Sequence, residues 1–249
     1  MPNYGHFHNG NEKTFLNEKI KLGIYGDSFA TSGKLEKAWS TLLKADSDFE
    51  VGIYSWPATS TEWSVLKFAE TYHLYDKIIF VVTSPDRLYI NDHPTLQHWT
   101  ATTHHQIDTI PKDQRLEYKN YIKVHTKYMM NTDVINAKQK IYLDYIMATK
   151  PETLLIPAFN NSIPNSDYID LFSISCLDLI NPGSETYLRR LFDNNRGDTR
   201  PNHMNVINNQ IIYKKIKQWI KTNQFELNSL EDFYTPETRQ DLFKKDRQI

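Results

Sequence analysis

Apolar runs of two different periods alternate along the chain. Residues 20–25 (IKLGIY) place Ile20, Leu22 and Ile24 at every second position and predict a first strand. "KLEKAWSTLLKA" (34–45) instead repeats Leu35, Ala38, Trp39, Leu42 and Leu43 on one helical face. "FEVGIYSW" (49–56) predicts a second strand. The helix after it opens at Thr59 or Ser60, either of which can cap it, with Glu62 and Trp63 in its first turn. "KIIFVVTS" (77–84) is a continuous apolar run charged on one flank only, which suits a parallel strand buried on both faces. A helix over 132–149 is halted by Pro151, a fourth strand follows at 152–159, and residues 167–176 predict a short fifth. The last strong helix covers 205–222.

Strands that alternate with helices predict an α/β fold, a three-layer α/β/α sandwich around a mainly parallel sheet. Residues 87–130 break the rhythm. They carry polar aromatics without a clean period and read as an insertion covering one end of the sheet. Residues 1–222 are then expected to form a single domain, with 223–249 a polar C-terminal tail packed on it. A length of 249 residues, 39% hydrophobic and 13% aromatic, suits one core of that size.

Charge narrows the partners. The formal net charge is −1 and the sequence pI about 6.8, so no basic field exists to hold nucleic acid. The run from Lys214 to Lys221 reads as the solvated face of a helix. Cys176 is the single cysteine, which excludes an intramolecular disulfide, and its apolar neighbours make it a small core residue. The N-terminus lacks a basic segment followed by an apolar one, and no apolar run is long enough to span a bilayer. The expectation is a cytoplasmic protein without membrane contact; packaging in a virus particle would leave no mark in the sequence.

The chemistry starts at Gly26-Asp27-Ser28, directly after the first strand. A serine there can sit where backbone N–H groups converge on an anion, the arrangement that also stabilises the oxyanion of acyl transfer. A serine hydroxyl needs a base to become a nucleophile. Of the nine histidines, only His203 combines a polar turn, a nearby acid and a helix start: it lies in "RGDTRPNHMN", five residues after Asp198. His93, His98, His104, His105 and His125 lack the spacing of a metal site, and neither metal nor cofactor is expected.

"GIYGDSFA" and "DTRPNHMN" resemble the first and last blocks of the GDSL/SGNH hydrolases, three-layer esterases and lipases with a flavodoxin-like sheet. The resemblance implies Ser28 as nucleophile with its own N–H as one oxyanion donor, His203 as general base and Asp198 as the acid that orients it. The chain departs from the family at three places. The family sets its acid three residues before the histidine, where this chain has Arg200. "YSWPATS" contains no glycine for the second block, which leaves Ala58 as a stand-in donor. "TSPDR" (83–87) puts Pro85, which has no N–H, where the family has its oxyanion asparagine. Ser84, Asp86 and Arg87 remain as oxyanion or substrate-binding candidates. The expected activity is hydrolysis of an ester, an O-acyl group on a carbohydrate or a small acyl ester, in a pocket shaped by Tyr89, Trp99, Tyr118, Tyr121 and Tyr128. The departures also feed a second expectation, a catalytically silent protein of this fold that binds a glycan or serves in an assembly, a viral one included.

Overall fold

A computed structural model describes residues 19–31, 38–57, 59–87, 113, 115–128, 131–159, 162–164, 170–171, 204 and 206–233. Its strands are β1 (Ile20–Gly26), β2 (Phe49–Ser55), β3 (Lys77–Val82) and β4 (Leu154–Pro157). They form a parallel sheet in the order β2-β1-β3-β4. The helices are α1 (Trp39–Ala45), α2 (Thr61–Thr71), α3 (Arg115–Tyr128), α4 (Thr132–Thr149) and α5 (Val206–Thr222).

Strand periodicity sorts the core into two halves. Along β3, Ile79 and Val81 face one side while Ile78, Phe80 and Val82 face the other, and all five are fully buried. The first set packs with Leu22 and Ile24 of β1, Trp39 and Leu43 of α1, and Ile212, Ile216 and Trp219 of α5. The second packs with Tyr25 of β1, Val65 and Phe68 of α2, and Leu143 and Ile146 of α4. Helices thus cover both faces, and the fold is a three-layer α/β sandwich with a parallel sheet, as the alternation predicts. Leu227 and Phe233, from the stretch after α5, join the first half of the core.

Several element ends differ from the sequence reading for local reasons. The third strand stops at Val82, because Thr83 turns its hydroxyl to Asp27. The fourth is confined to Leu154–Pro157, since Thr153 folds back and both its N–H and its hydroxyl donate to the Lys150 carbonyl. Ser60 rather than Thr59 caps α2, its Oγ accepting from the Trp63 N–H at 3.3 Å. The expected fifth strand (167–176), Cys176 and the first turns of the helix expected over 34–45 lie mostly or wholly outside the described residues. Among the described residues, no helix is long and apolar enough to cross a membrane.

This topology selects a location. From β1 the chain crosses one face through α1 to β2, then returns over the opposite face through α2 to β3 on the far side of β1. The connections therefore diverge between β1 and β3, and in open α/β sheets ligands bind in the crevice beyond the carboxyl ends of the strands at such a point.

Candidate active site

At the carboxyl end of β1 the backbone makes a turn that its residue types dictate. Gly26 has φ +143°, a conformation that residues with a Cβ rarely adopt. A Cβ at this position would also stand 2.7 Å from Val81 Cβ and 2.8 Å from the Val81 carbonyl oxygen. Glycine is therefore needed twice over, for conformation and for the close approach to β3. The Gly26 carbonyl accepts from Thr59 Oγ1 at 3.0 Å and from the Trp56 N–H at 3.4 Å, which ties the turn to the end of β2. Thr31 Oγ1 adds a second tie to β2 through Ser55.

Asp27 is the organising residue of the turn. It is fully buried, and its backbone carbonyl accepts from the N–H groups of Ala30 at 3.0 Å and Thr31 at 3.1 Å. Its Oδ1 accepts from the Phe29 N–H at 3.0 Å. Its Oδ2 accepts from Thr83 Oγ1 at 3.0 Å and from Arg87 Nη1 at 2.6 Å. Three amides of the turn are thus committed to Asp27. Ser28 is half-buried between them, and among the described residues nothing takes its N–H or its hydroxyl.

The loop after β3 packs directly against this turn. Ser84 donates to the Asp86 carboxylate, and the Arg87 N–H donates to the Ser84 carbonyl at 3.3 Å, closing a tight turn through Pro85. The Arg87 guanidinium points inward. Its Nη1 donates to both Asp27 and the Thr59 carbonyl (3.0 Å). Its Cζ lies 5.1 Å from the centre of the Phe159 ring, and its Nε is buried without a hydrogen-bond partner. Gln139, 1% exposed on α4, braces this loop by donating to the carbonyls of Thr83 at 3.2 Å and Ser162 at 3.0 Å. Tyr25, one residue before the turn, shares a hydrogen bond with Thr71 Oγ1, and burial raises its phenol well above the ordinary range.

Of the predicted site residues, the structure brings Ser28, Ser84, Asp86 and Arg87 to the carboxyl end of the sheet, at the divergence of β1 and β3. Ala58, Asp198 and His203 lie outside the described residues, as do Tyr89 and Trp99 of the insertion; Tyr121 and Tyr128 are exposed on α3. The residues that sequence reasoning missed are Thr83, Thr59 and Gln139. Gln139 carried a signal, a polar side chain at a position that the helix spacing of Leu143 and Ile146 assigns to the core.

No protein-family model matches the chain, and no curated protein matches it. Among solved structures, it is similar to a "putative lipolytic protein of G-D-S-L family from Desulfitobacterium hafniense DCB-2". The identity is 14%, the match covers 62% of this chain and 86% of that one, and the TM-score is 0.26.

Proposed function

We propose that the protein is a serine hydrolase of the SGNH type that cleaves an ester, an O-acyl group on a carbohydrate or a small acyl ester. The observation that carries the reading is the position of Ser28. It follows a glycine-dependent turn at the carboxyl end of β1, beside the divergence of β1 and β3. Its N–H is left over after Asp27 has taken the other amides of the turn, which suits an oxyanion donor. Trp56, 59% exposed, hangs its N–H on the same Gly26 carbonyl, and an exposed indole at this edge suits the C–H face of a sugar ring.

In the proposed reaction Ser28 Oγ attacks the ester carbonyl while His203 takes its proton. The alcohol leaves with that proton, and water activated by His203 cleaves the acyl-enzyme. The roles of His203 and of Asp198 come from the resemblance of their segment to the last family block. Ser28→Ala and His203→Ala should each abolish hydrolysis of a short acetyl ester with folding preserved. Asp198→Ala should retain measurable activity, since the acid is the most dispensable triad member and here sits two residues earlier than the family places it.

A second reading is favoured by the loop after β3, where Ser84 is turned to Asp86, Arg87 Nη1 is turned to Asp27, and Pro85 has no N–H to offer. On that reading the protein is catalytically silent and binds a glycan. Equal ester hydrolysis by wild type and Ser28→Ala, together with glycan binding, would select it.

A further inference from the structure

Resting on the serine-hydrolase reading, we infer that Arg87 is a positioning residue for the nucleophile turn, acting through Asp27 and contacting neither substrate nor oxyanion. An arginine that binds an anionic or carbonyl ligand presents its donor fork to the cleft. Here Nη1 is spent on two inward acceptors, Asp27 Oδ2 at 2.6 Å and the Thr59 carbonyl at 3.0 Å. The side chain is only 10% exposed, the Phe159 ring lies against the guanidinium, and Nε is enclosed by protein.

What this contact holds is specific. Asp27 is fully buried and adjoins Ser28 in sequence, and its two carboxylate oxygens join the turn to the loop after β3: Oδ1 takes the Phe29 N–H and Oδ2 takes Thr83 and Arg87. Thr59, which receives Arg87 at its carbonyl, holds the Gly26 carbonyl with its hydroxyl. Arg87 therefore touches two supports of the turn, Asp27 within it and Thr59 behind it. It also neutralises a buried negative charge beside the place where acyl transfer develops another. An unpaired Asp27 carboxylate would oppose that oxyanion, and a buried charge that has lost its partner is strongly destabilising.

The two effects separate in a set of variants: Arg87→Met, Asp27→Asn and the double variant. Methionine keeps a long unbranched apolar side chain and removes the cation; asparagine keeps the acceptor for the Phe29 N–H and removes the charge. Two readouts are taken on each full-length protein. Amide hydrogen exchange across residues 26–31 reports the turn whether or not the protein is an esterase. Arg87→Met should speed exchange there tenfold or more, and the double variant should recover most of the protection. Acetyl-ester kinetics report the consequence for Ser28: Arg87→Met should lower kcat at least tenfold with KM within about twofold, and the double variant should regain part of kcat. Unchanged exchange in Arg87→Met, or a raised KM with kcat intact, overturns the inference; the latter would make Arg87 a substrate contact. If no variant hydrolyses ester but exchange follows the expected pattern, the turn-holding role stands and the hydrolase reading fails.

Discussion

Gly26 is the residue on which the site geometry turns. Its φ of +143° and the 2.7 Å and 2.8 Å approaches to Val81 leave no room for a side chain, because β3 is locked in register against β1. Gly26→Ala should cost about 2–4 kcal/mol of stability, combining backbone strain with overpacking against a central strand. Urea unfolding by tryptophan fluorescence measures it directly, since Trp39 and Trp219 lie in the core. Gly52 makes a contrasting case, with an ordinary backbone but a Cβ position 1.9 Å from the Tyr75 hydroxyl oxygen. Tyr75 lies across Gly23 and Gly52, which are paired in register, and its hydroxyl meets that of Tyr54 at 2.7 Å. One glycine is required by the chain's own dihedral, the other by a neighbour's ring.

Among the elements, helix ends show two different solutions to unpaired N–H groups. α2 is capped locally by Ser60, and Ser60→Ala should cost about 1 kcal/mol, read as a shift in the urea midpoint. α1 has no such cap: Ala38 precedes it, and the Trp39 N–H is satisfied by Asn209 Oδ1 from α5 at 3.0 Å. The far end of α1 is joined to α5 as well, through Asp46, whose carboxylate accepts from Tyr213 at 2.5 Å and from Lys217 at 2.6 Å. Burial pushes the Asp46 carboxyl up, but Lys217, Tyr213 and the Asp48 N–H outweigh it and hold the carboxyl down at about 2. A carboxyl lower in the folded than in the unfolded chain contributes stability above its unfolded value, near 4, and loses it as pH falls towards 2. Wild type should therefore lose about 1 kcal/mol between pH 4 and pH 2 that Asp46→Asn does not lose, as comparison of their thermal unfolding over that range will show.

For the molecule as a whole, the layers were legible because burial on both sides of a parallel sheet leaves a mark in sequence. The unbroken run of β3 and the periodic apolar faces of α4 and α5 state their surroundings locally, and Thr132–Thr149 coincides with the expected helix. Ser28 was legible too, since a glycine-acid-serine turn after a strand is a local feature. The clamp on that turn was not. Asp27, Thr59, Thr83 and Arg87 come from loops after three different strands and meet only once the order β2-β1-β3-β4 has brought those loops together. Nothing in "TSPDR" announces that its arginine faces inward to a buried aspartate sixty residues away. Whether this convergence serves a nucleophilic serine can be read by labelling the folded protein with a fluorophosphonate probe and mapping the adduct by peptide mass spectrometry. A single adduct is expected, on Ser28, absent in Ser28→Ala; a folded wild type that takes no label, or a Ser28→Ala variant that labels equally, would remove Ser28 as the nucleophile.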